Sequence, residues 1–367
     1  MSGPEQDRLD RLRLIRSPNV GPVAWRQLIA RYGSAGQALL AIPALAARGG
    51  ARAFRIADER MVAAEWQSVQ RLGGRHVFLG DADYPALLEE ANAAPPVLMA
   101  MGSLALEGRP IVAMVGARNA SAAACRFARQ LAQDMGARGG ITVSGLARGI
   151  DTAAHMGSLA TGTVAVIACG LDRIFPPENA ALQERIAAEG LLLTEHPPGT
   201  DPLARHFPAR NRIIAWMAQG TVVVEAAPRS GSLLTARLAA EEGREVMAVP
   251  GFPLDPRAQG CNGLIREGAT LVQSAEDILE SIGRVGGHVG GGLLRQPASG
   301  YAGPPPADVD EKERRRIVAL LSMAPVAVDE VIRLSGCAPG PVQTALLELE
   351  IAGRLQRHAG GRVSLLD

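Results

Sequence analysis

The sequence is almost without lysine. Of 38 basic residues only Lys312 is a lysine; the rest are arginines. Net charge is nearly absent too, at +1 over 367 residues, which at first sight argues against a polyanionic partner. No run approaches the roughly 18 apolar residues of a membrane-spanning helix. The first residues, with Glu5, Asp7 and Asp10 among arginines, lack the apolar centre of a secretory signal. The four cysteines (Cys125, Cys169, Cys261, Cys337) are far apart and form no CxxC pair. That pattern excludes a disulfide framework and a cysteine zinc site, and reads as reduced, buried thiols of a cytoplasmic protein. Disorder is excluded as well, because 47% of residues are apolar and 20% charged, near globular averages.

The length suggests two or three domains at roughly 100–200 residues each. Residues 284–309 hold seven glycines and four prolines and read as a linker. Residues 1–75 show helical apolar spacing over 9–16, 22–32, 35–47 and 58–72, broken by Gly and Pro. From Pro110 short Val/Ile-rich runs alternate with amphipathic stretches, with strands expected at 111–115, 141–144, 164–168, 191–194, 221–225 and 246–249. This alternation predicts a doubly wound, mostly parallel α/β sheet over 76–283, with 76–109 as a lead-in that packs on it. In 310–367, helices at 311–323, 328–335 and 340–352 followed by strands around Gly360-Gly361 read as a winged helix.

Split by segment, the charge changes meaning. Residues 1–75 carry 12 Arg against 6 acids, and residues 76–283 carry 16 Arg against 22 acids. A basic head therefore joins an acidic body. Within that body, residues 203–237 hold five arginines and one acid, Glu225. A positive spot on an acidic domain implies a focused anion site.

In open α/β sheets ligands lie beyond the carboxyl ends of the strands. The loops there hold the unusual residues. Val115-Gly116-Ala117-Arg118-Asn119-Ala120-Ser121 combines a tight turn at Gly116, a helix cap at Asn119 or Ser121 with amides left for an anion, and a bidentate arginine. It is not GxGxxG, so no dinucleotide fingerprint is present. Ser144-Gly145-Leu146-Ala147-Arg148-Gly149-Ile150-Asp151 makes a second backbone cradle. Asp151 reads as the cap of the next helix, with His155 on the same face as a structural partner. Phe207-Pro208-Ala209-Arg210-Asn211-Arg212 sets an aromatic face beside two arginines, the combination that holds single-stranded nucleic acid. Its competing use is to bridge acids such as Glu195 and Glu225. Arg229-Ser230-Gly231-Ser232 opens a helix through Thr235 and makes a third cradle, without the Lys-Ser/Thr of a nucleotide-triphosphate loop. No nucleophile is paired with a base and no metal-ligand cluster is visible, so binding is favoured over catalysis and no cofactor is expected.

Four ordered motifs carry a resemblance: Val115-Gly116-Ala117-Arg118, Ser144 to Asp151, Phe207 to Ile214, and Ser230 to Ala236. In order and spacing they resemble the DNA-processing protein DprA (Smf) family of bacteria, strongly over 76–283 and more loosely outside it. The resemblance implies an extended Rossmann-like domain that binds single-stranded DNA, forms a homodimer and delivers the strand to the recombinase RecA in natural transformation or homologous recombination. No enzymatic activity is expected. By motif position it implies a groove lined by Arg118, Arg148, Arg210, Arg212 and Arg229, with Gly116, Ser144, Gly145, Ser230, Gly231 and Ser232 as donors and Phe207, Asn211 and Thr235 beside them. The sequence departs from the family's usual residues at Ala117 (Ser), Cys169 (Gly), Phe175 (Tyr) and Arg229 (Lys).

Ser17-Pro18-Asn19-Val20-Gly21-Pro22 before an Arg-containing helix resembles a helix-hairpin-helix or SAM-like turn, whose amides suit phosphate. The third tail helix, the one a winged helix places in the major groove, carries Glu348 and Glu350 and no basic residue, which favours a protein-contact role. The competing function is a nucleotide-phosphate hydrolase of the phosphoribohydrolase type on a similar sheet; its glycine-rich PGGxGT loop is absent, with Arg229 to Ser232 in the comparable place. A scaffold whose basic head is only a solvated surface is the third reading.

Overall fold

The computed structural model describes residues 3–287, 309–358 and 360–366. The stretch expected as a linker lies largely outside them. The described residues fall into two compact units: those of 1–64 and 294–367 form one, and those of 65–293 the other.

The first unit opens with helices α1 (Pro4–Arg16), α2 (Pro22–Tyr32) and α3 (Ala35–Arg48). Proline stands in the first turn of α1 and α2, where its missing amide costs nothing. Gly33 ends α2 in the left-handed conformation at φ 76, and Ser34 caps α3 by accepting from the amide of Gln37. Their buried seam is Leu12, Leu14, Trp25, Leu28, Leu39, Ile42 and Leu45. The boundary between the units falls inside α4 (Glu59–Arg71).

The second unit is built on a nine-stranded sheet. Its elements run β1 (Arg75–Phe78), α5 (Ala86–Glu89), β2 (Val97–Gly102), β3 (Ile111–Val115), α6 (Ala122–Ala137), β4 (Ile141–Ser144), α7 (Ile150–Ser158), β5 (Thr163–Val166), α8 (Ala180–Glu189), β6 (Leu191–Thr194), α9 (His206–Trp216), β7 (Gly220–Val223), α10 (Gly231–Glu241), β8 (Glu245–Ala248), α11 (Gln259–Arg266), β9 (Thr270–Leu271) and α12 (Ala275–Gly287). The strand order is β1-β2-β6-β5-β4-β3-β7-β8-β9. All neighbours from β6 to β9 are parallel, while β1 pairs with β2, and β2 with β6, antiparallel. The lead-in thus extends the sheet by two hydrogen-bonded strands instead of packing on its face.

Both faces are covered, as the continuous apolar strands require. Alternation along β3 shows how. Ile111, Ala113 and Val115 join α9 and α10 on one face, and Val112 and Met114 join α6, α7 and α12 on the other. A further cluster on the β5–β6 side gathers Val69, Ile167, Cys169, Leu171, Ile186 and Leu192. The order in which strands are added reverses at β3, with β4 on one side and β7 on the other. The carboxyl ends of β3, β4 and β5 therefore open onto one edge with the α9 helix beside them.

The tail comprises α13 (Glu311–Ala319), β10 (Val326–Ala327), α14 (Val328–Ser335), α15 (Pro339–Ile351), β11 (Leu355–His358) and β12 (Arg362–Leu365). Its strands order as β10-β12-β11, all antiparallel, which with three helices makes a winged helix. Asp310 and Glu313 close a capping box at the start of α13.

Candidate nucleic-acid interface

The first loop is self-satisfied. Ser121 caps α6 by accepting from the Ala124 amide at 3.0 Å. The anion that sequence reasoning expected at this helix start is supplied from within: the Glu225 carboxylate accepts the Ser121 amide at 2.9 Å and its hydroxyl at 3.1 Å. Arg257 pairs with the same carboxylate at 3.2 Å. Gly116 serves packing, since a Cβ there would lie 2.5 Å from Cγ1 of Ile150. Arg118, further along the loop, is exposed.

The second loop is where charge is organised. One oxygen of buried Asp151 accepts the amides of Gly145 at 3.1 Å and Ala147 at 3.3 Å. Asp151 is therefore not the helix cap; that place belongs to Gly149, at φ 77, where a Cβ would lie 2.2 Å from the Ala117 carbonyl oxygen. Nor does His155 pair with Asp151. Its Nε2 accepts the Leu146 amide at 3.3 Å, and its Nδ1 faces the Thr163 hydroxyl at 2.7 Å. Burial first, and the Arg210 charge second, push its pKa down to about 3, so the ring stays neutral. Ser144 is fully buried and donates to the Met114 carbonyl at 2.6 Å, which ties β4 to β3 and leaves no hydroxyl for a ligand.

Arg210 comes to this loop from α9. It is 5% exposed, and its guanidinium lies against the backbone of Gly145: a Cβ on that glycine would be 1.4 Å from Nη1. Position 145 is thus glycine for space. Burial lowers the Arg210 pKa and the Asp151 charge opposes that shift. Burial likewise raises the Asp151 pKa, opposed by Arg210 and by the two amides. The guanidinium remains charged at any physiological pH. Its Nε has no hydrogen-bond partner among the described residues.

A cavity of about 230 Å³ opens in front of Arg210. Arg118, Gly145, Arg148, Phe207 and Arg210 line it, together with Leu146, Ile167, Cys169, Phe175 and Pro176. The Phe207 ring is the hub. The Arg118 guanidinium sits 5.2 Å from its centroid, that of Arg210 6.0 Å, and the Phe175 ring 5.6 Å at a tilt of 57°. Arg148, more than half exposed, faces Glu178 at 3.5 Å, a loose pair that an anion can replace. The Cys169 thiol is pushed up to about 11 by burial and next by Asp172, so it forms a neutral, apolar wall. Three cations and two aromatic faces in one small cavity can hold phosphate oxygens and stack one base.

The other expected residues lie elsewhere. Arg212 is turned to the opposite side of α9, where it donates to Glu195 at 2.5 Å and to the Ala93 carbonyl at 2.9 Å. Asn211 donates to the Gly231 carbonyl at 3.4 Å. The Arg229 loop follows β7, across β3 from the cavity. There Ser230 and Ser232 bond each other at 2.8 Å, Thr235 donates to the Gly231 carbonyl at 3.5 Å, and exposed Arg229 holds φ 64. Gly116, Ser144, Asn211, Arg212, Arg229, Ser230, Gly231, Ser232 and Thr235 are all absent from the cavity lining. Conversely Phe175, 37% exposed, is a lining residue that sequence reasoning did not select. The signal available for it was an aromatic in the proline-rich turn after the third strand of the parallel core.

Comparison with known proteins bears on this arrangement. The family model described as DNA recombination-mediator protein A matches residues 75–283, more than half of the chain. The chain belongs to this family. Two flanking models agree with it: a DprA-like N-terminal HHH domain over residues 5–68 and a DprA winged helix domain over 302–361. Protein Smf of Synechocystis is 38% identical over 310 residues, covering 77% of this chain and 78% of that protein. The X-ray structure of DNA processing protein A from Streptococcus pneumoniae superposes with a TM-score of 0.64 at 38% identity, over 74% of this chain and 95% of the other. A second family structure, from Helicobacter pylori, is described as giving insight into single-stranded DNA binding. It is 26% identical with a TM-score of 0.52, over 58% of this chain and 96% of the other.

Proposed function

We propose that this protein binds single-stranded DNA in the cavity beside Gly145, with Arg118, Arg148 and Arg210 on phosphates and Phe207 and Phe175 against a base. It acts as a binding protein and not as an enzyme, as a homodimer formed through the Rossmann-like unit, and it passes the strand to RecA during recombination or transformation. One observation carries the DNA reading: Arg210, a buried cation opposed by Asp151, lines one cavity with the cations Arg118 and Arg148, and three positive charges against the carboxylates of Asp151 and Glu178 leave an excess that calls for an anion. The two phenylalanines favour a single strand over a duplex, because a paired base offers no free face to stack. The cavity lies below the ~300–1,000 Å³ typical of sites for whole small molecules, which suits one nucleotide unit of a longer strand. The family's name and the Helicobacter pylori relative's single-strand binding support the same reading. The RecA and dimer assignments rest on the family resemblance.

Fluorescence anisotropy with an oligo-dT strand and a duplex of equal length tests it. The strand is expected to bind more tightly than the duplex. Three phosphate contacts predict a slope of log affinity against log salt of about −2, at about 0.7 per single-strand contact. Equal affinity for both ligands, or a flat salt response, refutes the reading.

A further inference from the structure

The winged helix has its third helix turned inward. In such folds the third helix is the one that enters the major groove. Here that helix, α15, is buried on two sides. Val342, Ala345, Leu346 and Leu349 belong to the tail's own core, whereas Leu347 and Ile351, 2% and 0% exposed, lie outside that cluster. The second side meets the helical head within the same compact unit. Arg48 pairs with Glu348 at 2.8 Å, Arg31 donates to the Thr344 hydroxyl at 3.1 Å, and Gln27 donates to Gln343 at 3.1 Å.

The head surface so covered is the hairpin between α1 and α2. Asn19, at φ 59 in the turn, donates to the Ile351 carbonyl at 3.1 Å. A Cβ on Gly21, the residue that starts α2, would lie 3.7 Å from a carboxylate oxygen of Glu350. Burial raises the Glu350 pKa, and Arg357 at 2.6 Å opposes that shift. The tail's two helix acids thus stand against the head: Glu348 is shared between Arg48 at 2.8 Å and the tail's own Arg314 at 2.9 Å, and Glu350 lies beside the hairpin turn, paired with the tail's Arg357. A hairpin turn of this kind offers its backbone amides to phosphate, and α15 covers it.

We propose that α15 is an acidic plug: it occupies, in cis, a nucleic-acid backbone site on the head, and that site binds DNA phosphates only when the tail leaves. The site is independent of the cavity at Gly145, whose residues the plug does not include. The tail itself reads no DNA, since its groove-facing helix carries acids and is committed to the head.

Two full-length variants test this from opposite sides. Gly49 has an ordinary helical backbone (φ −72, ψ −6), so a side chain there carries no backbone strain, and the nearest atoms its Cβ would meet are the tail's, with the Glu348 carbonyl oxygen at 2.0 Å. Gly49→Leu therefore wedges the tail off. Glu348→Arg places a cation against both Arg48 and Arg314 and removes the acid that joins the tail to the head. Small-angle scattering reads release as a larger radius of gyration, and anisotropy reads binding to a duplex, a ligand the cavity disfavours. Both variants are expected to expand, to gain about ten-fold in duplex affinity, and to show a slope steeper by about 0.9 per new contact. Expansion with unchanged duplex affinity and slope overturns the proposal. So does the absence of expansion in both variants, because the contact then does not hold the tail. Failure of the single-strand reading would appear separately, as an oligo-dT affinity no greater than duplex affinity in the unaltered protein.

Discussion

Gly145→Ala is expected to lower single-strand affinity by about a hundred-fold and stability by about 3 kcal/mol. The added methyl would stand 1.4 Å from Nη1 of Arg210, so the guanidinium must leave its seat. Loss of one hydrogen bond to a charged group costs about 1.5–3 kcal/mol, which is roughly ten- to hundred-fold in affinity. The stability loss combines overpacking with a buried Asp151 deprived of its counter-charge. A double-mutant cycle isolates the cause. On an Arg210→Ala background the clash partner is gone, so the same methyl should cost less than about 0.5 kcal/mol in chemical denaturation. Additive losses would show that Gly145 matters for some reason other than Arg210.

Arg118→Ala gives the second large effect, and it separates binding from folding. Arg118 is exposed and touches the Phe207 ring face, so stability should stay within about 0.5 kcal/mol. Single-strand affinity should fall by about ten-fold, and the salt slope should shrink by about 0.7, one phosphate contact. Arg118→Lys should restore the slope but only part of the affinity, because an ammonium neither forks onto phosphate nor stacks on Phe207 in the same way. An unchanged slope in the alanine variant would remove Arg118 from the phosphate path.

Much of this architecture is legible in the residues. Val/Ile runs such as 111–115 and 141–144 become strands because both faces of a parallel sheet are buried, and a continuous apolar run suits only that setting. The winged helix was readable from three helices and two strands around adjacent glycines. The site was legible in part. Arg118, Gly145, Arg148, Phe207 and Arg210 do converge, because loops after successive parallel strands share one edge.

What was not legible has particular causes. Arg210 and Arg212 look like a matched pair, but α9 starts at His206, and residues two apart on a helix point about 200° away from each other. One therefore faces the cavity and the other faces Glu195, the acid-bridging use open to that pair. The Ser230 loop looks equivalent to the Ser144 loop, yet β7 lies on the far side of β3, and strand order is set by pairings that no local pattern records. Asp151 has the spacing of a cap, but Gly149 in the left-handed region takes that place and frees the carboxylate to gather the Gly145 loop. Phe175 stood out only as a departure from the family's Tyr, because its place in the site arises only when the turn after β5 meets α9. The acids of the third tail helix were visible; their contact with the hairpin some 300 residues earlier was not.

The most direct measurement is photocrosslinking of the unaltered protein to an iodouracil-substituted single strand, followed by tryptic mapping. A base held in the cavity predicts labelled peptides 174–185 and 206–210, which carry Phe175 and Phe207. An internal control is Phe252, 68% exposed and outside the cavity lining, in peptide 245–257. Labelling concentrated on the first two peptides and reduced in Arg118→Ala is the expected result. Labelling concentrated on the Phe252 peptide, with the two cavity peptides clean, would contradict the assignment of the strand to this site.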